Sequence, residues 1–298
     1  MRVFVTGATG FIGRMVVEDL KAGGHQVVGL ARSDEGAARL AGQGVEVRRG
    51  DVTDPEGLAQ GAREADGVIH TAFIHDFSKF MENIEIDRRA TEAMLDALAG
   101  SGKPFVGSSG TAMLPPSGRP GAEHDAPMSE GPAAGRGHTE SLTLAAADRG
   151  VRSSVVRLAP SVHDIERQGL VSMLGEIARA TGVSGYVGDG ANRWPAVHRL
   201  DAARLFRMAL ENAEPGTRLH AVAEEGVPLK AIAEAVGRSV GVPARSFAPA
   251  EAGAQFGWLA MFVMADTAAS SAATQETFGW RPTHPGLLAG ITQGGYQV

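Results

Sequence analysis

The chain has 298 residues, 43% hydrophobic and 21% charged, with a net charge of −6. That length supports one large or two-lobed α/β body with a sizeable buried core, and the acidic balance speaks against a general nucleic-acid binder, which carries a basic surface. Cysteine is absent; this removes disulfides, thiolate metal sites, iron–sulfur clusters and a cysteine nucleophile, and fits a reducing compartment.

Residues Met1 to Gly7 read as a strand entering a turn, so no signal peptide is expected ahead of the fold. Compact β-branched runs then predict strands over 2–6, 26–30, 45–49, 67–71, 104–108 and 153–158. Between them, helical periodicity covers 11–21, 35–40, 55–62, 79–98 and 137–148. Alternation of this kind predicts an α/β protein, a doubly wound parallel sheet with helices on both faces. The Pro- and Gly-rich stretch 113–132, with Pro115, Pro116, Pro120, Pro127 and Pro132, reads as a long functional loop. After Pro160 the rhythm changes: helix over 171–181, Gly-rich loop over 186–193, helix over 201–211, strand over 219–223. Leu229, Ile232, Ala233, Val236 and Val240 then form an amphipathic stripe opened by Pro228. Two domains are expected, a nucleotide-binding one over 1–163 and a smaller substrate lobe over 164–298, some of whose segments return to the sheet. The longest apolar stretch, 256–265, falls short of the ~20 residues of a membrane span. A soluble, cytoplasmic protein without a membrane partner is expected.

The strongest local signal is Thr6-Gly7-Ala8-Thr9-Gly10-Phe11-Ile12-Gly13, which follows a strand and opens a helix. Gly7 allows the tight turn. Gly10 lets backbone amides approach a pyrophosphate, and Gly13 lets the helix pack closely on the strand. The helix N-terminus adds N–H groups and a partial positive charge. A dinucleotide site of the Rossmann type is expected here.

The Gly-x-x-Gly-x-x-Gly spacing resembles that of the short-chain dehydrogenase/reductase superfamily, in its extended or atypical branch related to nucleotide-sugar epimerases and dehydratases. Other segments agree. Gly50-Asp51-Val52-Thr53-Asp54 resembles the adenine-contacting stretch after the third strand, and His70-Thr71-Ala72 the fourth-strand end beside the coenzyme. Gly107-Ser108-Ser109-Gly110-Thr111 resembles the fifth-strand end that holds the catalytic Ser or Thr. Arg157 to His163, including Pro160, resembles the segment near the nicotinamide. The resemblance is strong to about residue 163 and looser to about 240.

Coenzyme choice in such a site is made at the end of the second strand, where a carboxylate bonds a free ribose 2′-OH and an Arg accommodates a 2′-phosphate. Ala31 occupies the usual acidic position, and Arg32 and Ser33 follow. Arg pairs bidentately with phosphate and a hydroxyl adds a bond. NADP is therefore expected, with Arg14 adding positive charge and Asp34 leaving NAD open.

Carbonyl reduction by hydride transfer puts negative charge on an oxygen that needs a proton. The superfamily supplies it from a Tyr with a Lys four residues on. Neither Tyr186 nor Tyr296 has a Lys at that distance. Matching Glu140 to the Glu that follows this motif puts Arg136 at the Lys position and Pro132 at the Tyr position. Arg stabilises an oxyanion but is a poor proton donor. Ser109, with Thr111 as a near competitor, matches the third donor. His138, two residues from Arg136, is a candidate acid, set against a bland reading as a surface helix residue.

In the second lobe, Tyr186 to Asp201 is the other dense cluster. Trp194 and His198 suit the wall of a substrate cleft, with core packing the competing reading for Trp194, while Asp201 reads as a helix-start residue. Phe256, Trp258, Met261, Phe262 and Met264 read as core or as a contact between subunits of a homo-oligomer. No metal-ligand spacing is present, so no metal is expected. The leading function is an NADP-dependent oxidoreductase acting on a small-molecule carbonyl or alcohol. A nucleotide-sensing regulator without turnover comes second, and an epimerase or dehydratase, which would need the missing tyrosinate, comes third.

Overall fold

A computed structural model describes residues 1–131, 134–164 and 169–292. In chain order its elements run β1 (Arg2–Thr6), α1 (Gly13–Ala22), β2 (Gln26–Ala31), α2 (Asp34–Gly42), β3 (Glu46–Arg49), α3 (Pro55–Glu64) and β4 (Gly67–His70). They continue with α4 (Phe80–Leu98), β5 (Pro104–Gly110), α5 (Ala134–Ala145), β6 (Arg152–Leu158), β7 (Ser161–His163), α6 (Leu170–Thr181), β8 (Ser184–Val187) and β9 (Arg193–His198). Then come α7 (Arg199–Asn212), β10 (Thr217–Ala221), β11 (Glu224–Pro228), α8 (Leu229–Val240) and β12 (Ala244–Phe247), followed by short helices that include Ala272–Phe278 and Leu287–Thr292.

Two compact units emerge. The first comprises Met1–Met113, Ala126–Arg157 and Ala202–Leu219; the second comprises Leu114–Asp125, Leu158–Asp201 and His220–Val298. A single cut after residue 163 is therefore too simple. The chain crosses between units several times, and the 202–219 segment counts with the first.

The first unit carries a seven-stranded sheet in the order β10-β6-β5-β4-β1-β2-β3. β1 pairs in parallel with β2 on one side and β4 on the other, and the β2–β3 and β4–β5 pairs are parallel too. The order reverses at β1, and in open α/β sheets ligands bind outside the carboxyl ends of the strands at that reversal. The strands form because their residues are apolar on both faces: Val3, Phe4 and Val5 of β1 and Val68 and Ile69 of β4 are fully buried. Phe4, Leu58, Met94, Leu98 and Phe105 belong to one core cluster, each such side chain contributing about 1.5–3 kcal/mol on burial.

The second unit has a three-stranded sheet, β11-β9-β7, with β9 antiparallel to β11 and parallel to β7, and a parallel pair, β12-β8. Its core gathers Trp194, Leu229, Ile232, Val236, Phe256 and Val263. Here the sequence reading fell short. The expected loop over 186–193 ends β8, turns at Gly188 and Gly190 with φ of 62° and 66°, and starts β9. These strands are too short for alternation to show, and Pro195 and Gly226 lie inside two of them, against ordinary strand composition. The loop beyond Met113 is tied down within this unit: the Gly121 N–H donates to the Ala268 carbonyl and the Ser270 N–H to the Gly121 carbonyl, each at 2.8 Å. Phe256 is core, whereas Trp258, Met261 and Met264 are exposed. No helix among the described residues is long and apolar enough to cross a membrane.

Candidate functional site

Three glycines shape the turn after β1, for two different reasons. Gly7 adopts φ +68°, and a Cβ there would stand 2.7 Å from the Ala72 nitrogen and 2.8 Å from Thr71 Oγ1. A Cβ at Gly13 would overlap the Gly7 carbonyl oxygen. Both positions are fixed by contacts inside the chain. Gly10 differs. It is exposed, its φ is not positive, and a Cβ would meet only the Gly7 carbonyl, at 3.2 Å. That one contact is tight, but on its other sides Gly10 is open, and the space it keeps faces outward.

The helix starts around this edge differ in the same way. α2 is capped by Ser33, whose Oγ accepts from the Gly36 N–H at 3.1 Å, and α3 by Asp54, which accepts from the Gly57 N–H at 3.1 Å. The cap position of α1 is Ile12, which brings no side-chain acceptor. An anion is the natural complement of an uncapped helix start behind a bare glycine. These features fit the diphosphate of a dinucleotide. Thr9 and Phe11 are partly buried on the same loop. Thr71 and Ala72 back it: Thr71 Oγ1 donates to the Thr6 carbonyl at 2.8 Å.

At the β2 end, Arg32 is largely exposed, its Nε 3.8 Å from Asp51 Oδ2. Asp51 Oδ1 accepts from the Thr53 N–H and hydroxyl, both at 2.9 Å, which folds the turn through half-buried Val52. Ser33 serves first as the helix cap. Sequence reasoning missed Arg49, at the end of β3, which donates to the Ser33 carbonyl at 2.5 Å, to the Arg32 carbonyl at 3.2 Å and to Asp34 at 2.8 Å.

At the β4 and β5 ends the side chains carry charge. Arg136, on α5, donates to Asp87 Oδ2 at 2.5 Å and to the Ser108 carbonyl at 3.0 Å. Its guanidinium lies 4.5 Å from the centre of the Phe73 ring, a cation–π contact. Asp87, on α4, is 5% exposed. Burial pushes its carboxyl up, but the Arg136 charge and His70 together hold it below the ordinary range. His70 Nε2 stands 3.4 Å from Asp87 Oδ1, and His70 Nδ1 lies 2.6 Å from Thr6 Oγ1. A line of polar groups thus runs from Arg136 to the residue preceding Gly7.

Glu140 holds a second buried pair. It takes the Arg157 guanidinium, both side chains being fully buried, and accepts from Arg218 at 3.2 Å. Burial raises the Glu140 carboxyl, but its bonds to Arg157 lower it further, to a net value below normal. Ser109 is 6% exposed, and its buried hydroxyl faces the Glu140 carboxylate, which it helps to hold below the ordinary range. Thr111 is buried at the start of the turn after β5.

His138 sits on the exposed side of α5. Two residues along a helix is about 200° around its axis, which turns His138 away from Arg136. The imidazole that senses Arg136 is His75, in the loop after β4, edge-on to Phe73 at 5.4 Å. Desolvation of its ring first, and the Arg136 charge after it, push His75 below its ordinary value. Pro132 lies outside the described residues.

In the second unit, Trp194 is core, not a cleft wall: it is 1% exposed and its indole N–H donates to the Phe262 carbonyl at 3.0 Å. His198 is half-buried in a cluster the sequence did not announce. It stacks on His284 at 4.7 Å and stands edge-on to His163 at 5.5 Å. Burial, then the neighbouring His198, pushes His163 down to about 4. Asp201 is fully buried, and its carboxylate accepts from the Thr283 and His284 N–H groups at 3.0 Å, holding a distant segment besides any role at the start of α7. Pro160 lies half-buried between β6 and β7. Among the described residues no group of three or more His, Asp or Glu is arranged to hold a metal ion.

The model of the NAD dependent epimerase/dehydratase family matches residues 3–222. An uncharacterized protein of Saccharomyces cerevisiae, YLL056C, is 46% identical over 293 residues, 98% of each chain. The 2′-dehydrokanamycin reductase of Streptomyces kanamyceticus is 30% identical over 252 residues, covering 82% of this chain and 68% of that protein. Among solved structures, the UDP-glucose 4-epimerase of Thermus thermophilus in complex with NAD superposes with a TM-score of 0.76 at 23% identity, over 99% of this chain and 98% of that one.

Proposed function

The chain belongs to the NAD dependent epimerase/dehydratase family, whose members bind NAD(P), and from that premise we propose that it is an NADP-dependent oxidoreductase that moves a hydride between NADP(H) and a small or medium carbonyl or alcohol. The observation that carries this reading is the loop around Gly10, exposed and open on its outer side in front of an uncapped helix start. Arg32, at the end of β2 where a carboxylate would serve NAD, supports NADP. The reductase name of the Streptomyces kanamyceticus relative agrees with the direction of chemistry.

Bound at the Gly10 loop, the coenzyme would supply a hydride to a carbonyl carbon, and the chain's task would be to stabilise the oxygen and let it take up a proton. Gly7, Gly10 and Gly13 with the start of α1 hold the diphosphate. Arg136, fixed by Asp87 and the Ser108 carbonyl, presents positive charge at the β5 end. Ser109 offers a hydroxyl there. With no tyrosine at this place, the proton comes from water.

Consumption of NADPH against a panel of aldehydes, ketones and keto sugars tests the reading. Turnover with at least one, reduced in Ser109→Ala and Arg136→Ala proteins that still fold and bind NADPH, is the expected result. A specific observation favours a second reading, binding without turnover: the Arg136 charge is already matched by Asp87. Tight NADPH binding with no consumption across the panel would select it.

A further inference from the structure

The edge formed by the ends of β2 and β3 carries one carboxylate that could serve a free ribose 2′-OH, Asp34, and it is fully exposed at the start of α2. Its place suits NAD; Arg32 beside it suits NADP. Arg49 decides between them. It stands directly across the sheet from Ala31, and from there its guanidinium reaches three groups of the turn: the carbonyls of Arg32 and Ser33 and the carboxylate of Asp34.

Each contact has a consequence. The bonds to the two carbonyls pin the turn from which the Arg32 side chain projects. The bond to Asp34 engages one of its two oxygens and turns the carboxylate toward Arg49, and the guanidinium offsets part of the charge that would repel a 2′-phosphate. The remaining nearby carboxylates are also engaged: Asp51 Oδ1 takes the Thr53 N–H and hydroxyl, and Glu35 pairs with Arg39 at 2.8 Å. With Arg49 present, Arg32, Arg39 and Arg49 balance Asp34, Glu35 and Asp51. Without it the edge is net negative.

We propose that Arg49 is the specificity-determining residue of the coenzyme site, selecting NADP by withdrawing Asp34 from the ribose and by fixing the turn that aims Arg32. This rests on the coenzyme reading given above. Because exposed ion pairs contribute little to folding, the role separates cleanly from stability.

The test titrates NADPH and NADH into wild-type protein, Arg49→Met, Asp34→Ala and the double variant, with thermal melts as a control on folding. Wild type prefers NADPH. Arg49→Met weakens NADPH about tenfold or more, the scale of losing one charge-assisted contact, and tightens NADH. In the Asp34→Ala background the NADH gain disappears, because the freed carboxylate was its source. An equal loss of both coenzymes in Arg49→Met would make Arg49 a mere brace and overturn the proposal. No change, or a wild type that prefers NADH, would overturn it as well. A folded wild type that binds neither coenzyme would instead remove the coenzyme reading beneath it.

Discussion

At the carboxyl end of β1 the features that matter belong to the backbone: a left-handed turn at Gly7, close packing at Gly13, an open face at Gly10 and an uncapped helix start. At the carboxyl end of β5 they belong to side chains: Arg136 held by Asp87, Glu140 held by Arg157, and a buried Ser109 hydroxyl. The first arrangement needs residues that are neighbours in sequence. The second needs partners from other helices, Asp87 being 49 residues from Arg136. On the proposed reading, nucleotide binding is written locally, whereas the chemistry would depend on charges whose strength is set by tertiary contacts.

The largest effect should come from unpairing the buried charges. Arg136→Met leaves the buried Asp87 with only His70 beside it, which should cost about 3–5 kcal/mol of stability in denaturant titrations. Adding Asp87→Asn should restore part of that loss; a double variant no more stable than Arg136→Met would mean that the pair does not act as a unit. Acid should have a comparable effect in the second unit. His163 titrates at about 4 when folded and near 6.5 when unfolded. The unfolded state therefore binds more protons between those values, so stability falls as pH drops from about 6.5 to about 4, by about 3 kcal/mol. His163→Gln should flatten that slope, and an unchanged slope would remove His163 as its cause.

Smaller effects separate the glycines. Gly13→Ala drives a Cβ into the Gly7 carbonyl and should destabilise by about 1–3 kcal/mol. Gly10→Ala, whose Cβ meets one backbone oxygen at 3.2 Å, should cost less than Gly13→Ala, about 1 kcal/mol or less, while weakening NADPH. Equal destabilisation by both would erase the contrast between inward-facing and outward-facing glycines. Ser109→Ala removes a hydroxyl that faces Glu140 and should fold within about 1 kcal/mol of wild type, its main effect appearing in turnover with a carbonyl substrate.

Much of the first unit was legible because its strands are apolar runs bounded by turn residues, and because the glycine loop compresses a backbone requirement into eight consecutive residues. Arg136 was legible as a position through Glu140, but not its state. Asp87 reads in sequence as one more charge on a long helix, and only the fold shows it buried. His138 was chosen for its nearness in sequence, and helix geometry turns it away; His75, a loop residue 61 positions before Arg136, gave no signal. Trp194 and His198 drew notice as a dense cluster, but one is core and the other belongs to a histidine stack completed by His284, whose partner Asp201 lies 83 residues earlier. Arg49 looked like a strand-end charge until β3 was placed beside β2.

Calorimetric titration of NADPH into wild-type and Gly10→Ala protein, matched by thermal melts, is the most direct measurement. Saturable binding by wild type is expected, weakened about tenfold or more in Gly10→Ala at a melting temperature close to that of wild type, as follows from blocking the backbone approach to the diphosphate. No heat of binding in folded wild type, or equal affinity in the two proteins, would contradict the assignment of this loop to a dinucleotide.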